Sequence, residues 1–118
     1  MTWWNDCCKA CDKYLSMSQY ALYTRFNAVP DQGDALLSIL MKTNHIVSSA
    51  KGCRLFVINH ETGNKDIFWV TELWDSREDH AISQTLDGCK ELMVEAEHIL
   101  ATEPKQILLV PVGVKGSE

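Results

Sequence analysis

The sequence predicts an α+β domain with the element order β-α-β-β-α-β, and three observations carry it. Four segments of strand length and composition alternate with two longer segments of helical spacing. The two middle strands are joined by a short polar stretch of turn-forming residues, which makes them an antiparallel hairpin. The second strand of that hairpin, residues 67–74, is apolar on both faces and runs straight into a helix start. This order is the ferredoxin-like split βαβ arrangement: a four-stranded antiparallel sheet with two helices on one face.

At 118 residues the chain makes one domain, and an apolar fraction of 46% is that of a folded globular protein. The net charge is −5, with Lys and Arg scattered rather than arranged in a stripe, which argues against nucleic acid as a partner. No apolar run approaches the roughly 18 residues of a membrane span, so no membrane partner is expected. Of the five cysteines, three crowd into Cys7, Cys8 and Cys11. Without the apolar segment of a secretory signal, a cytoplasmic location and free thiols are expected. Cys8-x-x-Cys11 is half of a zinc or redox motif, but no second pair follows at zinc-finger spacing, so no metal site is expected.

Residues 1–19 read as an N-terminal extension, and residues 20–118 as the domain. The first strand spans 20–27, with Tyr20, Leu22, Thr24 and Phe26 on one face and Ala21, Tyr23, Arg25 and Asn27 on the other. A turn over 29–33 leads to a helix that Asp34 is expected to cap. Its apolar stripe includes Leu36, Ile39, Leu40 and Val47, and Lys51-Gly52 is expected to end it. Residues 54–59 form the second strand, and 60–65 a polar hairpin loop. After the third strand, Asp75 or Ser76 caps a second helix with Glu78 and Asp79 in its first turn. Helical pattern runs from Ser76 to about Thr85, loosens at Asp87-Gly88, and continues to Leu100 until Pro104 stops it. Residues 107–110 are the last strand, with Pro111 confining its end to an edge or bulge.

Helices on one face leave the other face of the sheet uncovered. The first and third strands are apolar or aromatic on both faces, so the uncovered side, carrying residues such as Tyr23, Trp69, Thr71 and Leu73, calls for a partner. A second copy is the simplest one, and two such sheets face to face would close a barrel across a two-fold axis.

Several motifs along this framework fall in a familiar order. Tyr23-Thr24-Arg25-Phe26 lies on the first strand, and Pro30-x-x-Gly33 precedes Ala35-Leu36-Leu37. Gly52-Cys53-x-Leu55-x-Val57-Ile58-Asn59 and Val70-Thr71-Glu72-Leu73-Trp74-Asp75-Ser76 follow, then His80-x-x-Ser83 and Pro111-Val112-Gly113-x-Lys115-Gly116. Through this ordered set, residues 20–116 resemble the antibiotic biosynthesis monooxygenase (ABM) domain of the dimeric α+β barrel superfamily. The resemblance implies a homodimer with a pocket between helices and sheet in each subunit. It implies oxidation of phenols or quinols by O2, in many members with no cofactor. It also leaves open a non-catalytic small-ligand-binding or stress-response protein. A haem-degrading branch needs an axial histidine on the second helix, which His80 or His98 would supply, and an asparagine where this chain has Thr24.

Oxygenation without a cofactor needs a polar group to take a proton from the substrate and an apolar pocket that excludes water. His80 suits the first role, because imidazole exchanges protons near neutral pH. Trp74 offers a flat face for an aromatic ring and an N–H donor. These two are the candidate catalytic residues. Asn59, Thr24, Arg25, Glu72 and Ser83 are candidates for substrate binding. Each has a plain structural alternative. His80 could simply hydrogen-bond Ser83 or Glu72, and Trp74 could be core. Glu72 could anchor backbone groups or Arg25, Asn59 could serve the hairpin turn, and Arg25 could form an interface ion pair.

Overall fold

The structure is a computed structural model and describes residues 19–114. The cysteine trio of the N-terminal extension lies outside the described residues. The elements are β1 (Tyr20–Asn27), α1 (Gly33–Val47), β2 (Cys53–Glu61), β3 (Asn64–Trp74), α2 (Arg77–Ser83), α3 (Cys89–Glu97) and β4 (Lys105–Leu109). All strand pairs are antiparallel, in the order β2-β3-β1-β4, so β3 and β1 are central. The fold is the predicted α+β sheet with its helices on one face.

Strand alternation decides what faces the helices. Along β1 the buried residues are Tyr20, Leu22, Thr24 and Phe26, and the residues between them are half-buried. In register with them, β3 turns Trp74, Glu72, Val70 and Phe68 to the same side. Two apolar clusters fill the space under the helices. One gathers Phe26, Leu36, Ile39, Leu40, Phe68, Val70 and Ala96. The other gathers Tyr20, Leu22, Val47, Trp74 and Cys89. Among the described residues no helix lies on the opposite face of the sheet. Leu55, Val57, Ile107 and Leu109 on that face are 41%, 38%, 44% and 46% exposed.

The structure departs from the sequence reading at several ends. Asp34 does not cap α1; it stands in the first turn, behind Gln32 and Gly33. The cap comes from across the chain, because Asp66 Oδ1 accepts the Gly33 N–H at 2.9 Å and Oδ2 that of Asp31 at 3.3 Å. Helix α1 ends at Val47, before Gly52. The hairpin loop tightens to Thr62-Gly63, with Gly63 at φ 84°, and both strands run further into the polar stretch than their composition suggests. The long second helix is two short ones. Ser83 Oγ donates to the His80 carbonyl and Thr85 Oγ1 to that of Ile82, both at 2.6 Å, and such bonds compete with helix continuation. Gly88 then turns the chain with φ 91° before α3. Strand β4 begins at Lys105, two residues earlier than its apolar run. Among the described residues no helix is long and apolar enough to cross a membrane.

Gly52 is where the chain passes from the end of α1 to β2, at φ 84°. Its carbonyl accepts the Asp75 N–H at 2.8 Å, tying that turn to the start of α2. A Cβ at this position would lie 2.6 Å from the Asp79 carboxyl carbon. Gly52→Ala therefore meets both an unfavourable backbone region and a buried side chain, and is expected to lower unfolding free energy by about 2–3 kcal/mol in urea titrations. In an Asp79→Ala background the loss should shrink.

Candidate functional site

Glu72 is a charged side chain on the helix-facing side of β3, between Val70 and Trp74 and across from Leu22 and Phe56. It is only 12% exposed. A carboxylate in such surroundings must be partnered. Trp74, two residues along the same face, donates its indole N–H to Glu72 Oε1 at 3.0 Å. The Nε2 of His80 stands 3.7 Å from the same oxygen, within ion-pair reach when the imidazole is protonated.

His80 reaches this position because α2 starts immediately after β3. The Ser76 hydroxyl caps the helix by accepting the Asp79 N–H at 3.0 Å. One helical turn beyond Ser76, His80 comes back over the strand. Its ring packs 5.3 Å from that of Tyr20 and edge-on to Trp74 at 5.4 Å, centre to centre. The imidazole is thus held by two aromatic walls and a carboxylate.

A cavity of about 60 Å³ opens beside this pair, at the seam of the two apolar clusters. Phe26, Val47, Val70 and Met93 give it apolar walls. Thr24, Thr43, Glu72, His80, Ser83 and Gln106 give it polar points, and Gln84 and Lys90 also line it. The Cys89 thiol is a further wall residue. Burial, and after it the Glu91 charge, pushes its pKa up, so near neutral pH it stays a protonated thiol rather than a nucleophilic thiolate.

The structure thus brings together His80, Glu72, Thr24 and Ser83. Trp74 is fully buried behind Glu72 and is not a wall of the cavity; it touches the carboxylate and the imidazole instead. Arg25 and Asn59 lie on the other face of the sheet. Thr24 and Arg25 are neighbours on one strand, so their side chains leave on opposite faces and cannot meet one ligand. For the same reason Arg25 does not pair with Glu72. It lies 3.9 Å from Glu61 and 5.9 Å from the Trp69 ring centre. Asn59 donates to the Trp69 carbonyl at 3.1 Å. Thr43 and Gln106 were not singled out in the sequence. A signal for Thr43 was present, since it continues the Leu36, Ile39, Leu40 spacing toward Val47. Gln106 precedes the apolar run that marks the last strand.

Among the described residues no group of three or more His, Cys, Asp and Glu side chains is placed to hold a metal ion. The residues do not fit a haem either. His80 is enclosed by Tyr20, Trp74 and Glu72, and His98 is exposed at the end of α3, away from the cavity.

Residues 19–94 match the family model described as antibiotic biosynthesis monooxygenase. Among solved structures, the chain is similar to a protein of Chloroflexus aurantiacus described as a candidate antibiotic biosynthesis monooxygenase. The two are 33% identical with a TM-score of 0.74, over 84% of this chain and 98% of that one. Proteins of Nitrosomonas europaea and Caulobacter crescentus with the same description share the fold. They are 14% and 13% identical, with TM-scores of 0.77 and 0.78. They cover 84% and 88% of this chain, and 95% and 99% of their own lengths. No curated protein matches the chain.

Trp74→Phe keeps an aromatic ring, though a smaller one, and removes the donor to a buried carboxylate. It is expected to cost about 1–3 kcal/mol of stability, measured by urea unfolding. In a Glu72→Leu background, where no carboxylate awaits the indole N–H, the same change should cost less.

Proposed function

The chain belongs to the antibiotic biosynthesis monooxygenase family, and from that premise we propose that it is a monooxygenase. It oxidises a small aromatic substrate of the phenol or quinol type with O2, using no metal or flavin. The observation that carries this reading is the Glu72–His80 pair at 3.7 Å, beside a cavity with apolar walls. The imidazole takes a proton from the substrate hydroxyl, and the Glu72 carboxylate stabilises the imidazolium that forms. The resulting anion is electron-rich enough to reduce O2. Two hydrogens leave the substrate, one oxygen atom is inserted, and the other departs as water, so the substrate supplies all the electrons. Trp74 acts through Glu72, which it holds in place. The apolar walls keep water from the reactive anion.

A volume of about 60 Å³ is smaller than the roughly 150 Å³ cavity known to bind benzene. An aromatic ring therefore enters by moving a wall. The sheet is held by its ladders, which leaves the short helices α2 and α3, joined through Gly88, as the wall that yields. The same small volume favours a second reading, in which the protein holds a small ligand without turnover.

The working unit in this proposal is a cytoplasmic homodimer. The helix-free face carries Tyr23, Leu55, Val57, Trp69, Ile107 and Leu109, too much apolar surface to leave in water. A two-fold axis lets the same patch cover itself.

Two measurements test this. With 1,4-dihydroxynaphthalene or related quinols, the protein should consume O2 well above the uncatalysed rate, and His80→Ala should lower kcat/KM by about 10²-fold or more. An unchanged rate in that variant would remove His80 from the chemistry, and binding without O2 uptake would favour the ligand-holding reading. In sedimentation equilibrium the chain should weigh twice its 13.4 kDa, and the double variant Val57→Lys, Ile107→Lys should weigh that of one chain.

A further inference from the structure

We infer that Thr24 and Gln106 form a second polar contact point in the cavity, which holds an oxygen atom of the ligand and selects an aromatic molecule bearing two oxygens over one bearing a single hydroxyl. This rests on the cavity beside Glu72 and His80 being the ligand site.

Thr24 is 1% exposed, faces the helices and lines the cavity. Gln106 stands directly across from it on β4 and lines the same space. The inner-face neighbours of this pair along β1 and β4 are apolar: Leu22, Phe26 and Leu108. Polar groups in such a place need partners. Among the described residues, the only side-chain bond of Thr24 is with the Gln106 amide nitrogen at 3.5 Å, the outer limit of a hydrogen bond. At that length the contact is weak whichever way the amide is turned. The fully buried Thr24 hydroxyl and the half-buried Gln106 amide therefore face the cavity with bonding capacity to spare.

The second end of the cavity is the Glu72–His80 pair. Thr24 lies opposite Val70 and Glu72 opposite Leu22, so Thr24 and Glu72 are diagonal neighbours on the sheet, about 7–8 Å apart. One aromatic ring with oxygens at opposite positions bridges a span of that order. His80 would meet the hydroxyl that loses its proton, and Thr24 with Gln106 would hold the far oxygen. A ligand with a single hydroxyl leaves the Thr24–Gln106 end unsatisfied.

The test is anaerobic binding of 1,4-dihydroxynaphthalene and 1-naphthol to the full chain, read by calorimetry. The wild type should prefer the diol by about tenfold or more, the worth of one well-made buried hydrogen bond. Thr24→Val and Gln106→Leu should each bring the two ligands to within about twofold of one another, while Thr24→Ser keeps the preference. Circular dichroism checks the fold of each variant. If Thr24→Val does not fold, Gln106→Leu on the edge strand decides. Equal binding of the two ligands by the wild type, no binding of either, or a preference that survives both substitutions would overturn the inference. Selective binding of the diol without O2 consumption would leave the inference standing and sink the oxygenase reading; O2 consumption without selectivity would do the reverse.

Discussion

Burying a carboxylate on the helix side of a central strand is the constraint that the rest of this structure answers. Glu72 occupies a position where strand alternation asks for an apolar residue, with Val70 before it and Trp74 after it. Left without partners it would cost several kcal/mol. The indole N–H of Trp74 supplies one partner and the His80 imidazole stands ready as the other. Both arrive through local geometry. Trp74 shares the face because it is two residues on, and His80 returns over the strand because a Ser76-capped helix begins at once. The cap, the aromatic packing of Tyr20 and the Gly52 turn against Asp79 all fix where that helix starts. A polar pair beside an apolar cavity is an arrangement that suits the proton transfer proposed above.

The sheet divides its work between its two faces. One face, under the helices, holds the cavity and the polar pair. The other, among the described residues, carries no helix and shows large apolar side chains. Arg25 illustrates the division. It lies beside Thr24 in sequence yet on the opposite side, near Glu61 and the ring of Trp69. Residues on one strand thus serve two different surfaces, and the functional reading of each follows from its parity rather than from its residue type.

The strand and helix order was legible from hydrophobic period and turn residues, and the sheet has the predicted four antiparallel strands. His80, Glu72, Thr24 and Ser83, which line the cavity, stood out in the sequence through the ordered motifs and, for Glu72, through a charge set in an apolar run. That Arg25 and Asn59 lie on the face away from the cavity was not legible, because polarity alone does not tell which face of a strand is covered. Gln106 was hidden because a polar residue at the start of an edge strand looks like loop. The break after Ser83 was visible only as a loosening, since Asp87-Gly88 permits a turn, while the hydroxyl bonds of Ser83 and Thr85 that end the helix are set by the folded geometry. The cap of α1 could not be read locally at all, because Asp66 comes from a distant strand.

In the proposed complex the ligand lies between the sheet and helices α2 and α3, against Glu72 and His80. A crystal structure of the protein grown anaerobically with a quinol tests it most directly. Density is expected for the ring beside Val70 and Phe26, with a hydroxyl within hydrogen-bond distance of His80 Nε2 and α3 shifted outward from its place here. A ligand seated on the helix-free face, or a cavity that stays closed at saturating quinol, would contradict it.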